Sequence, residues 1–214
     1  MMTDERMASF INSFAPPNSD FLDRLERFSL ETNVPIVRKE MQTLMKFLLA
    51  MKKPHSVLEV GTAIGFSAVL MAENTEPSCH ITTIEKYEKR IPLAKENFEK
   101  SGYGDRITLL EGDATDILKE LEGPYDFIFM DAAKGQYINF LGDIKRLLAP
   151  EGIILSDNVM QEGDILESRY AVERRNRTIY ARMRDYLYEL THDPTLETVI
   201  LPVGDGVTVS VRKQ

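Results

Sequence analysis

Phe127-Ile-Phe-Met130 runs straight into Asp131, and Ile153-Ile-Leu-Ser156 runs into Asp157-Asn158. Both runs are short and apolar, and a helical pattern over 137–148 separates them. This reads as two neighbouring parallel strands of an α/β sheet. Ligands bind such sheets beyond the carboxyl ends of the strands, where Asp131, Asp157 and Asn158 fall. Adjacent strands lie about 5 Å apart, so three oxygen donors converge on a volume the size of a hydrated cation. An all-oxygen set without His or Cys suits Mg²⁺ or Mn²⁺ and not zinc. The same residues are also good caps for the helices that follow.

Working outward, the strand pattern recurs at Ser56–Val60, His80–Ile84, Arg106–Leu110, Tyr125–Met130 and Gly152–Ser156. Helical stretches fall between the strands, over 65–74, 88–100, 115–121 and 137–148. Three helices are expected earlier, over 4–14, 19–32 and 37–52, broken at Pro16-Pro17 and Val34-Pro35, because proline cannot continue a helix. A long helical pattern covers 166–191. Glu197–Leu201 and Val207–Arg212 flank Gly204-Asp205-Gly206 and read as a closing hairpin. Five β-α units and a hairpin predict a doubly wound, mostly parallel Rossmann-like sheet with an antiparallel C-terminal element. That ending points to the methyltransferase version of the fold. Residues 1–214 read as a single domain, with 1–52 a helical segment packed on it, within the usual ~100–250 residues of one domain.

The formal charge of −8 and a pI near 5.0 argue against a surface that grips nucleic acid everywhere, while leaving room for a local basic patch. Cys79 stands alone, which excludes an intramolecular disulfide and a thiolate metal site. Asp4 and Glu5 at the start do not suit a signal peptide. No run approaches the ~20 apolar residues of a membrane span, so the expected place is the cytoplasm, with no membrane partner. His55, His80 and His192 lie outside any strand-end cluster, and the ten methionines read as core filling.

Val57-Leu-Glu-Val-Gly-Thr-Ala-Ile-Gly-Phe-Ser67 runs from strand through a glycine-bearing turn to helix. Gly61 and Gly65 allow close backbone approach to a ligand. Ala63 replaces the second glycine of a dinucleotide fingerprint, the one that admits the pyrophosphate. A cofactor lacking pyrophosphate fits better, and S-adenosylmethionine (SAM) is one. Glu59 is placed to order the loop around its methionyl part. Glu85 ends the next strand, where a carboxylate accepts from ribose hydroxyls. Asp113-Ala114 lies after the third strand, near an adenine.

Glu59-Val-Gly-Thr-Ala-Ile-Gly-Phe-Ser67, Ile84-Glu85, Asp131-Ala-Ala-Lys134-Gly-Gln-Tyr137 and Asp157-Asn158 together resemble the catechol O-methyltransferase-like family of SAM-dependent, divalent-metal-dependent enzymes. The resemblance runs from about Pro35 onward. It implies that Asp131, Asp157 and Asn158 hold Mg²⁺, that Lys134 is the general base, and that Gly61, Ser67, Glu85 and Ala114 contact SAM. Val37, Glu59, Gly65, Asp113 and Asp131 are expected around the same cofactor. Within the family the chain looks most like bacterial tRNA 5-hydroxyuridine methyltransferases, on Val34-Pro35-Ile36, the arginine-rich segment after Asn158 and Pro202-Val-Gly-Asp-Gly206. That resemblance implies the tRNA anticodon loop as substrate, with 5-methoxyuridine at the wobble position as product. A homodimer through the N-terminal helices is a further implication.

The chemistry supports the same roles. A metal lowers the pKa of a bound hydroxyl and fixes its direction. Lys134, three residues past Asp131, projects over the same pocket, where a nearby dication disfavours the ammonium. The 5-hydroxyl and 4-carbonyl of 5-hydroxyuridine are a vicinal oxygen pair, like the two hydroxyls of a catechol, so metal chemistry alone does not choose between them. Arg169, Arg174, Arg175, Arg177, Arg182 and Arg184 crowd the long helical pattern. Arg174, Arg175 and Arg177 are the expected phosphate contacts, by bidentate geometry, and Tyr137, Tyr170 and Tyr180 could stack on a base. Such arginines also commonly snorkel along a buried face. The rival readings are a small-molecule enzyme for catechol-like vicinal hydroxyls and a SAM-binding module without chemistry.

Overall fold

A computed structural model describes residues 5–213; Asp4, at the start of the first expected helix, lies outside them. The order is α1 (Glu5–Asn12), α2 (Asp20–Thr32), α3 (Lys39–Lys52), β1 (Ser56–Val60), α4 (Phe66–Glu73), β2 (His80–Glu85), α5 (Ile91–Ser101) and β3 (Ile107–Glu111). Then come α6 (Ala114–Glu120), β4 (Tyr125–Met130), α7 (Tyr137–Leu147), β5 (Leu148–Ser156), α8 (Arg177–His192), β6 (Leu196–Leu201) and β7 (Val207–Arg212). The strands form one seven-stranded sheet in the order β3-β2-β1-β4-β5-β7-β6. The expected Rossmann-like sheet is present. β7 alone runs antiparallel, inserted between β5 and β6.

Strand periodicity divides the core. Val57, Phe127, Phe129, Ile153 and Leu155 face one layer with residues of α2–α5. Leu58, Val60, Ile128, Met130 and Ile154 face the other, with α6–α8. Successive side chains of a strand point to opposite faces, and both faces are covered by helices. That is why the central strands read as continuous apolar runs. Ser19 caps α2 by accepting from the Leu22 N–H, and Asp113 caps α6 by accepting from the Thr115 N–H.

The largest departure from expectation is the helix over 166–191. α8 begins only at Arg177, after a 3₁₀ turn at Gln161–Leu166 and irregular chain. Gln161, Glu162 and Gly163 adopt positive φ, which turns the chain away from the end of β5. Side chains then hold the irregular stretch. Arg177 Nε donates to the Val172 carbonyl at 3.1 Å, Asn176 to Asp164 at 3.0 Å, and the Tyr180 hydroxyl to the Glu167 carbonyl at 3.1 Å. Val172 is buried. No proline and no glycine beyond Gly163 mark the break, so local propensity continues the helix where tertiary contacts end it. Helix α5 starts at Ile91 rather than Glu88, with Pro92 in its first turn.

Candidate active site

The parallel register places the strand ends in steps. Met130 pairs with Ser156, and the Asp157 N–H donates to the Met130 carbonyl at 3.0 Å. The Asp131 N–H donates to the Val60 carbonyl, and the Gly61 N–H to that of Ile84, each at 3.0 Å. Asp131 and Asp157 therefore leave adjacent strands side by side. The buried Tyr137 hydroxyl ties the two ends together, donating toward the carbonyls of Met130 (3.0 Å) and Asp157 (3.1 Å).

A cavity of about 760 Å³ lies along these ends. Val37, Gly61, Ser67, Glu85, Asp113 and Ala114 line one part; Asp131, Lys134, Asp157 and Asn158 line another. Gly61 is required where it stands. Its φ is +96°, and a Cβ there would lie 2.4 Å from the Asp131 carbonyl oxygen. Both Glu85 oxygens anchor the surrounding loops: Oε2 accepts from the Ala63 N–H at 2.9 Å and Oε1 from the Tyr87 N–H at 2.7 Å.

Two of the residues expected around the cofactor do not line the cavity. Glu59 is fully buried and does not line the cavity. It accepts from the Thr83 hydroxyl at 2.5 Å. Burial raises its carboxyl, opposed by hydroxyls of Ser67, Thr62 and Thr83. Glu59 thus holds the loop from behind. Gly65 is also off the cavity; a Cβ there would lie 2.5 Å from Phe98 Cε1, so it lets the start of α4 pack closely against α5.

Burial, then the neighbouring Asp157 and Glu59 charges, push the Asp131 carboxyl up to about 7, with Lys134 opposing. Asp157 is raised chiefly by burial, while its Oδ1 accepts the Asn158 N–H at 2.7 Å. Two crowded carboxylates, with Asn158 lining the same cavity, make a donor set that a hard dication would stabilise. Among the described residues no three His, Cys, Asp or Glu side chains gather as a metal cluster; here the third donor is an amide. Lys134 Nζ lies 3.3 Å from Asp205 Oδ2. In the sequence, Asp205 stands out as part of a turn and of the Pro202–Gly206 segment, with no sign that it meets Lys134.

The arginine pattern is corrected as well. Arg174 and Arg175 are exposed on irregular chain rather than on the expected helix, and Arg175 pairs with Glu173 at 2.7 Å. Arg177 is spent on the Val172 and Tyr170 carbonyls, Arg182 on that of Gly135 and Arg184 on that of Ile165. None of Arg174, Arg175 and Arg177 lines the cavity. Tyr137 and Tyr180 are core, whereas Tyr170 is 88% exposed.

The sheet order and strand-end cavity define a Rossmann-like methyltransferase. The O-methyltransferase family model matches residues 13–213, and the chain belongs to that family. It is on that ground a SAM-dependent O-methyltransferase. Tobacco (Nicotiana tabacum) caffeoyl-CoA O-methyltransferase 5 is 32% identical over 182 residues, covering 78% of this chain and 73% of the relative. Caffeoyl-CoA O-methyltransferase 1 of Arabidopsis thaliana is 29% identical, with 84% and 72% covered. The SAH-bound Podospora anserina methyltransferase PaMTH1 superposes with a TM-score of 0.87 at 30% identity, covering 98% of this chain and 95% of that one. No helix among the described residues is long and apolar enough to cross a membrane.

Proposed function

We propose that the chain transfers the SAM methyl group to one oxygen of a vicinal pair on a planar ring. Asp131, Asp157 and Asn158 would hold Mg²⁺, which supplies the charge that acidifies and orients the acceptor oxygens. Lys134 takes the proton from the acceptor hydroxyl. Glu85, Gly61, Ser67, Val37, Asp113 and Ala114 bind the cofactor, with Glu85 accepting from the ribose hydroxyls. The observation that carries this reading is a single cavity holding both the crowded pair Asp131 and Asp157, with Lys134 and Asn158, and the Glu85 loop.

Two carriers of the oxygen pair are supported by different observations. The names of the relatives favour a small catechol-type molecule. The exposed Arg169, Tyr170, Arg174 and Arg175 favour 5-hydroxyuridine of a tRNA anticodon loop. Their segment joins α8, which packs on the turn bearing Lys134. Labelled SAM is offered with 3,4-dihydroxybenzoate and, separately, with tRNA containing 5-hydroxyuridine, each with Mg²⁺ or EDTA. Transfer that persists in EDTA rejects the metal role, and the labelled product decides the carrier. Exposed Met7, Phe10, Ile11, Phe47 and Met51 on α1 and α3 support a homodimer, which sedimentation equilibrium tests with Phe10→Glu combined with Phe47→Glu.

A further inference from the structure

We propose that Asp205 is a positioning residue for the transfer: it holds Lys134 beside the acceptor site and locks the loop after Asn158 to the same anchor. β7 pairs with β5, Ser156 opposite Thr208, so the turn before β7 reaches across the end of β5. There the Asp205 side chain is only 4% exposed. Its Oδ2 faces Lys134 Nζ, and its Oδ1 accepts the Glu162 N–H at 2.7 Å. The Asp205 carbonyl accepts the Met160 N–H, and the Gly206 carbonyl the Val159 N–H, both at 2.9 Å. Turn and loop leave no gap: a Cβ on Gly206 would lie 2.1 Å from Met160 Cγ.

The loop needs such an anchor. Asn158, Gln161 and Glu162 have φ of 59°, 53° and 55°, a region that side chains disfavour and that persists only where surroundings impose it. Lys134 needs one too. A lysine stem is flexible, and proton transfer demands hydrogen-bond reach of the acceptor. One carboxylate therefore sets the place of the amine and of the loop carrying the amide donor.

The kinetic part of the test rests on the proposed acceptor; the other two parts do not. Asp205→Asn keeps an oxygen for the Glu162 N–H and removes the charge facing Lys134, whereas Asp205→Ala removes both. Lys134 acetylation by N-hydroxysuccinimidyl acetate and amide hydrogen exchange at 159–163 are followed by mass spectrometry. Turnover is measured with SAM, Mg²⁺ and 3,4-dihydroxybenzoate. In Asp205→Asn, Lys134 acetylates several-fold faster because its amine is no longer held against the Asp205 carboxylate, and exchange stays at the wild-type rate. Its kcat falls by up to about 100-fold, the scale of a 1 Å misplacement of a catalytic group, with acceptor KM unchanged. In Asp205→Ala, exchange at 159–163 also accelerates and KM rises. Unchanged Lys134 acetylation in Asp205→Asn, or wild-type exchange in Asp205→Ala, overturns the proposal. If the wild type ignores 3,4-dihydroxybenzoate, the small-molecule acceptor alone is rejected, and acetylation and exchange still decide the role of Asp205.

Discussion

Replacing Glu85 by alanine is the sharpest test of the cofactor end. Glu85 is 7% exposed, and each of its oxygens already accepts one backbone N–H, from Ala63 and from Tyr87. A carboxylate oxygen has two lone-pair directions, so one acceptor site per oxygen remains for ligand hydroxyls on the cavity side. A hydrogen bond to a charged group contributes about 1.5–3 kcal/mol. Losing one such bond to SAM weakens binding roughly 10- to 150-fold, since about 1.4 kcal/mol is a factor of ten. The alanine also strands two backbone donors, at about 1–3 kcal/mol each where they are shut off from water, so the melting temperature falls too. Glu85→Gln retains one acceptor oxygen and turns an amide N–H toward the other donor; its SAM affinity should fall between the two. Calorimetric titration with SAM, paired with thermal melting, reads both effects. An alanine variant that melts cooperatively and binds SAM as tightly as wild type would refute this assignment of Glu85.

The raised Asp131 carboxyl makes stability depend on pH with a definite sign. A carboxyl whose pKa is higher in the fold than in the unfolded chain, about 3.9, binds more protons when folded. Its stabilisation is present at low pH and is lost as pH rises toward 7. In EDTA the melting temperature should fall between pH 5 and 7.5, and Mg²⁺ or Asp131→Asn should flatten that slope; a flat profile in EDTA refutes the crowding of Asp131 and Asp157. Gly61→Ala drives a Cβ against the Asp131 carbonyl and should cost about 1–3 kcal/mol of stability together with most SAM affinity, checked by melting and calorimetry. Reversing Arg174 and Arg175 to glutamate should weaken tRNA binding, with a loss that shrinks as salt rises, and should leave transfer to 3,4-dihydroxybenzoate unchanged. Equal tRNA binding at low salt removes these arginines from any phosphate contact.

Most of the sheet was legible because its signals are local. Burial on both helix-covered faces makes Phe127–Met130 and Ile153–Leu155 continuous apolar runs. Strand-end acids then stand out, because the residue after a buried parallel strand is the first that reaches solvent or ligand. Asp131, Asp157, Asn158, Lys134 and Glu85 all proved to line one cavity. Where sequence reasoning went astray, spacing along the chain was silent about depth. Glu59 and Gly65 sit in the cofactor motif, yet Glu59 is buried behind the loop and Gly65 packs against Phe98, while Tyr137, offered as a stacking platform, is a buried tie between strand ends.

The sequence by itself determined the strand order's raw material, the chemistry gathered at the strand ends and the family to which the chain belongs. Tertiary structure alone decided that α8 begins at Arg177, because side chains at its start are held by the irregular chain before it: Arg177 by the Val172 and Tyr170 carbonyls, Asn176 by Asp164 and Tyr180 by the Glu167 carbonyl. It also decided that Asp205, 71 residues from Lys134 along the chain, lies within reach of its amine. Only the antiparallel insertion of β7 beside β5 folds that turn over the site, and no local pattern in either segment encodes their meeting.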